Sequence, residues 1–166
     1  MKTNIKNLSL VTLFLMIVSS CELERLDAAT EAAPGGGTLS EYTAYTIDST
    51  DPDGSNVFGR IVFWKTPLDQ TLIQVSLYNT IDGLMHPALL LQGASGTSTT
   101  TLLELDDVSG SSGEFSTDKF VLIPDTSFYE SIEGLDANVS IFLSDNDDTI
   151  VASGDIGINA MPVETD

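Results

Sequence analysis

The sequence predicts an all-β protein, a Greek-key β-sandwich of about eight short antiparallel strands. Two observations carry this expectation. From Thr38 onward the chain breaks into short alternating or β-branched runs. Clusters of Asp, Asn, Gly and Ser at 51–56, 82–83, 109–113 and 145–148 separate these runs at roughly the 8–12-residue spacing of a sandwich. A third observation says how such a fold would hold together. With one cysteine in 166 residues it forms no internal disulfide, so packing must carry its stability.

The chain opens on an address. Lys2 and Lys6 precede an apolar run from Leu8 to Val18, and the small residues Ser19 and Ser20 follow before Cys21. The run is too short to span a hydrocarbon core, which takes about 20 residues in a helix. Val18-Ser19-Ser20-Cys21 resembles a bacterial lipobox. That resemblance implies cleavage between Ser20 and Cys21 and a lipid on the Cys21 thiol. Residues 1–20 are then a lipoprotein signal peptide, and the membrane is a partner through Cys21. A second acyl chain on the new amino terminus would make the attachment durable, since one chain alone binds marginally. Residues 21–38 read as a tether, because Glu22–Ala33 has too little apolar periodicity to pack and Pro34-Gly35-Gly36-Gly37 ends any helix. The acids Glu22 and Glu24 resemble the stretch that accompanies surface export of some outer-membrane lipoproteins, which points to the outward face of a bacterial outer membrane.

The sandwich is expected over residues 39–158, with 159–166 as a C-terminal tail. Its strands are read at Leu39–Asp48, Val57–Lys65, Thr71–Tyr78, Ala88–Gln92, Thr99–Leu105, Lys119–Ile123, Ala137–Ser144 and Ile150–Ile156, and a helical turn at Ser127–Leu135. The alternation is clearest where Ile61 and Phe63 oppose Val62 and Trp64. It recurs where Ile73, Val75 and Leu77 oppose Gln74 and Ser76, and where Val139, Ile141 and Leu143 oppose Ser140, Phe142 and Ser144. Phe58, Phe63 and Trp64 are weighed as a ligand platform against core packing, and the alternation favours the core.

Charge excludes some partners. Without its signal the chain keeps Arg25, Arg60, Lys65 and Lys119 against 25 acidic residues, a formal charge of about −21. Such a surface repels nucleic acid and anionic lipid heads. The remaining partner class is an unknown protein or glycan.

Two stretches carry a family likeness: Asp82-Gly83-Leu84-Met85-His86-Pro87-Ala88-Leu89-Leu90-Leu91, and Tyr129 to Ser144 followed by Ile150 to Gly157. Together they resemble the chordin-type (CHRD) domain of secreted and lipid-anchored bacterial proteins, over roughly residues 55–158. The resemblance implies a sandwich like that of Cu/Zn superoxide dismutase. In many bacterial members the first motif reads H-P-A-H-I-H, and a later strand carries a further histidine. At the implied positions this chain retains His86 and has Leu89, Leu91 and Phe142 in place of the other three. Leu89 and Leu91 lie two apart and share a strand face, so the trio reads as packed core or a dry patch.

Chemistry is sparse. His86 is the sole histidine, too few donors for a zinc or copper site, and it reads as a loop-edge residue making one backbone hydrogen bond. Gly93-Ala-Ser95-Gly-Thr97 misses the nucleophile-elbow pattern by its last glycine. Asp106 and Asp107, as neighbours on a strand, would point to opposite faces. Asp145, Asp147 and Asp148 are weak calcium candidates, weighed against an ordinary Asx turn. The expectation is a lipid-anchored, non-catalytic binding or structural module with no cofactor. Its rivals are a metal-dependent oxidoreductase and a calcium-dependent adhesive module.

Overall fold

The computed structural model describes residues 39–165. Ser20, Cys21 and the tether through residue 38 lie outside the described residues. Strands β1 (Glu41–Ser49), β2 (Phe58–Lys65) and β3 (Thr71–Tyr78) make an antiparallel meander. A two-residue strand β4 (Met85–His86) leads through Pro87 into β5 (Ala88–Gln92), which pairs with β6 (Thr101–Glu104). Next, β7 (Val108–Ser109) pairs back on β4, and β8 (Val121–Ile123) returns to β3. A short helix α1 (Thr126–Ser131) runs into a 3-10 turn (Ile132–Gly134). The hairpin of β9 (Asp136–Ser144) and β10 (Asp147–Gly157) follows, and β11 (Glu164–Thr165) closes on β1.

The strand order is β6-β5-β9-β10-β1-β2-β3-β8, antiparallel at every pairing, with β11 as a branch on β1. The path curls at β1. Glu41 to Ile47 pair with β2, whereas Asp48 and Ser49 pair with Ser153 and Ala152 of β10. One strand thereby belongs to both halves of the sandwich, and the β3-to-β5 and β8-to-β9 connections cross between the halves. The fold is the all-β sandwich that the alternation predicts.

One core lies between the halves. Tyr45, Ile47, Ile61, Phe63, Ile73 and Val75 come from the β1–β3 side, and Leu90, Val139, Ile141, Ala152 and Ile156 from the β5–β9–β10 side. The inward residues follow the two-residue period of each strand. Each large apolar side chain so buried contributes about 1.5–3 kcal/mol against leaving it in water. The ends of the elements are fixed by local chemistry. Asp125 caps α1 by accepting the Ser127 amide (2.8 Å) and hydroxyl (2.7 Å). These bonds favour the ionised form and hold the Asp125 carboxyl below its ordinary range.

The expected strands are all present within a few residues of their predicted ends. Lys119–Ile123 shortens to Val121–Ile123, and Thr99–Leu105 to Thr101–Glu104. Three strands have no counterpart in the sequence reading: β4, β7 and β11 hold two residues each, too few to show a period. The segment after residue 158, read as a tail, places Val163 N–H on the Ala44 carbonyl (2.9 Å) and sets β11 beside β1.

Gly157 ends β10 with a φ of 67°, and a Cβ there would collide with the carbonyl oxygens of Leu135 and Ile132. Gly83 has a φ of 80° and open space around it. Gly157→Ala is expected to cost about 3 kcal/mol or more, because backbone on both sides of the contact would have to move. Gly83→Ala should cost only about 1 kcal/mol for the left-handed backbone. Urea denaturation of the two variants checks the difference.

Candidate functional site

The site is built on the outer face of β5, β9 and β10. Alternation along β5 sends Ala88 and Leu90 into the core and Leu89 and Leu91 to the opposite face, where Leu89 is half-buried and Leu91 is buried at 5% exposure. Across the ladder Leu89 faces Ser140 and Leu91 faces Asn138, so β9 presents Asn138, Ser140 and Phe142 on the same side. A bulge in β10 completes the floor. Val151 and Ala152 enter the core consecutively, and this irregularity brings Ile150 opposite Phe142 on the outer face.

The 93–100 loop walls one side of this face. Its backbone turns at Gly93 (φ 81°) and Gly96 (φ 77°), where side chains are disfavoured. Asn138 Nδ2 donates to the Gly93 carbonyl (2.9 Å), and Ser140 Oγ donates to Asn138 Oδ1 (2.8 Å). From the other side, the Ser95 amide and hydroxyl both donate to Asp155 Oδ1 at 2.7 Å. These bonds stitch the loop to β9 and β10, and they explain how the polar Asn138 and Ser140 come to be buried on an outer face.

Between loop and sheet lies a groove of about 700 Å³, floored by Leu89, Leu91, Phe142 and Ile150 and edged by Thr97 and Asp148. A second recess of about 770 Å³ continues from it, since Leu89, Phe142 and Asp148 line both. Its walls are acidic: Glu104, Asp107, Asp145 and Asp147 join Asp148. Burial, and then the neighbouring charges of Asp145, Asp106 and Glu104, push the Asp107 carboxyl above its ordinary value. The ion pairs among the described residues join Arg60 to Glu164 and Lys65 to Glu41 and Glu130. Both cations stand on β2, in the other half of the sandwich, and neither neutralises the acidic lip.

Three of the four positions singled out by the family likeness therefore meet. Leu89, Leu91 and Phe142 line the groove floor, with Leu91 buried and Leu89 and Phe142 half-buried. His86 does not join them. It lies fully buried on β4 rather than at a loop edge, and both ring nitrogens are engaged. Nδ1–H donates to the Phe142 carbonyl (3.0 Å), and Nε2 accepts the Ile81 amide (3.3 Å). A neutral imidazole has one N–H and one lone pair, and here both are used on backbone. The ring clamps the segment before β4 to β9 and leaves no lone pair for a metal.

The remaining candidates separate. Asp147 turns back on its own loop and accepts the Thr149 amide (3.0 Å) and hydroxyl (2.7 Å), which hold its carboxyl below the usual range. Asp145 and Asp148 line the acidic recess beside it. Among the described residues no three His, Cys, Asp or Glu side chains are arranged to hold a metal ion. Asp106 and Asp107 sit between strands, not on one. The Asp106 carboxylate is occupied by the Thr117 amide (2.8 Å) and hydroxyl (3.2 Å). The Ser95 hydroxyl is spent on Asp155, and both nitrogens of the only imidazole are spent on backbone. The aromatic platform does not assemble. Phe63 faces the core beside Tyr45, Trp64 packs on Tyr42 at 4.8 Å on the outside, and Phe58 stacks on Tyr78 at 5.4 Å.

Neither a family model nor a curated protein matches the chain. Among the described residues no helix is long and apolar enough to cross a membrane.

His86→Phe keeps a planar ring, somewhat larger than the imidazole, but strands the Ile81 amide and the Phe142 carbonyl. A loss of about 2–4 kcal/mol in urea denaturation is expected, with faster hydrogen exchange at Ile81. Asp107→Asn should act in the opposite sense. A carboxyl whose folded-state pKa is raised binds its proton more tightly folded than unfolded, so its charged form destabilises the fold above that pKa. The variant should melt at a higher temperature near neutral pH. The gain should vanish as pH falls through the carboxylate range, because wild type is then neutral too. Thermal melts across pH read the effect.

Proposed function

We propose that this chain is a lipid-anchored protein of the bacterial outer membrane whose CHRD-like sandwich is a non-catalytic binding module. The ligand seat in this reading is the groove over Leu89, Leu91, Phe142 and Ile150. The convergence of four apolar side chains in a walled concavity on an otherwise strongly acidic protein is the observation that carries it. Water gains nothing from such a surface, and a partner's apolar group placed there is removed from water at about 25 cal/mol per Å². The wall is held by five side-chain hydrogen bonds within the loop and to β9 and β10, so the concavity is formed before any ligand arrives. The lipobox likeness at Cys21 and the tether that follows it support the anchored location.

The chemistry on this face favours binding over turnover. Ser140 is paired with Asn138, Asn138 with the Gly93 carbonyl and Ser95 with Asp155, and the single imidazole is committed to backbone on the core side.

Two measurements test the reading. Replacing Cys21 by Ser should release the protein from the membrane fraction; persistence there would reject the lipid anchor. For the seat, detergent-solubilised full-length protein is titrated with the neutral dipeptide amide N-acetyl-Leu-Phe-NH₂. Uptake should exceed that of the folded variants Phe142→Ser and Leu89→Thr. Equal uptake by all three would reject the groove as a ligand site.

A further inference from the structure

The apolar floor and the acidic lip are one surface. Leu89, Phe142 and Asp148 line both concavities, so a ligand seated on the floor meets Glu104, Asp107 and Asp145 at the same time. No basic residue among those described lies on the lining of either recess. The three cations of the described region are Arg60 and Lys65 on β2, both paired with acids, and Lys119, which lies over the Phe120 ring just ahead of β8. The lip carries negative charge that the fold itself does not neutralise.

We infer that this face docks a cationic amphipathic segment of a partner protein, an extended peptide that carries both apolar and basic side chains. Its apolar groups enter the Leu89–Leu91–Phe142–Ile150 groove, and its Lys or Arg groups meet the lip formed by Glu104, Asp107, Asp145 and Asp148. The inference rests on the groove being the ligand seat and adds the chemistry of what fills it.

Charge selects this occupant over the others within reach. The chain's own tether carries Glu22, Glu24, Asp27 and Glu31 against Arg25, so the lip repels it. A second copy brings a net charge of the same sign, −19 for the whole chain, and is repelled as a body. A simple metal ion gains nothing from four apolar side chains, and the acids are not arranged to ligate one. A neutral apolar ligand would leave the lip unanswered. An extended peptide answers both surfaces, because within a few residues it lays apolar side chains on the floor and long basic side chains on the adjoining lip. Opposite potentials also steer such a partner to this face and make the encounter sensitive to salt.

The test uses full-length protein in neutral detergent and three fluorescent hexapeptides of alternating sequence: Lys-Leu, Glu-Leu and Lys-Ser. Fluorescence anisotropy should give the Lys-Leu peptide an affinity about tenfold or more above each of the others, as two or three partly exposed charge pairs added to apolar burial imply. Raising salt to about 0.5 M should remove most of that advantage over Glu-Leu. The double variant Asp107→Asn/Asp145→Asn should also remove it, whereas the control Asp69→Asn/Glu133→Gln, at residues that line neither recess, should leave it intact. Equal binding of Lys-Leu and Lys-Ser would mean non-specific attraction to an acidic protein and would overturn the inference. So would equal loss in the lip and control variants, or Glu-Leu binding as tightly as Lys-Leu. If the neutral dipeptide amide binds at the groove while the Lys-Leu peptide shows no preference, this inference alone falls. If neither binds, the ligand seat falls with it.

Discussion

Strand β1 is the constraint on which the sandwich depends. Its first seven residues hydrogen-bond to β2, and its last two to β10, so the two halves are joined through continuous backbone rather than through side chains alone. With a single cysteine the chain has no internal covalent bridge to do this. The curl at β1 turns the inner faces toward each other and allows Tyr45 and Ile47 to pack against residues of both halves. Near the same turn, Gly154 passes so close to the Thr46 carbonyl that any side chain would collide. At β10's far end Gly157 does the same over the 3-10 turn. The glycines of β10 let the second half close on the first.

This closure fixes what the outside of the second half can be. Once Leu90, Val139 and Ile141 are committed inward, the two-residue period leaves Leu89, Leu91, Asn138, Ser140 and Phe142 outward. An outer face with that composition is neither core nor ordinary solvent surface. The 93–100 loop covers its polar part and leaves its apolar part as the floor of a groove. The acidic lip arises because the β9–β10 turn and the segment after β6 approach one another at the same end, so that Asp145 adds to the burial that already disfavours the charge of Asp107.

Much of the sandwich was legible because its long strands bury one face and alternate strictly, as Ile61 and Phe63 or Ile73 and Val75 do. That Leu89 and Leu91 share one strand face was legible for the same reason, but which way that face points was not. Nor was Ile150. It reaches the groove through a bulge, and an extra residue in a strand leaves no mark in a β-branched sequence. The wall was hidden too, since the turn residues of Gly93–Thr100 are common to loops that cover a face and loops that do not. His86 was misread as a loop-edge residue because β4 and β7 are too short to show a pattern. Its burial follows from which loop closes the end of the sandwich, a long-range fact. The acids of the lip lie some forty residues apart in sequence, and nothing local joins Asp107 to Asp145.

The His86 clamp has a consequence for how this protein can change. Both of its bonds end on main-chain atoms, the amide of residue 81 and the carbonyl of residue 142. The side chain at 142 points the other way, into the groove. In the proposed ligand seat, stability and recognition would thus draw on different atoms of one residue. Substitutions at 142 change the groove floor while the carbonyl goes on holding the fold closed. Under that proposal, drift in binding preference at this position is open to selection without first crossing an unfolded intermediate genotype.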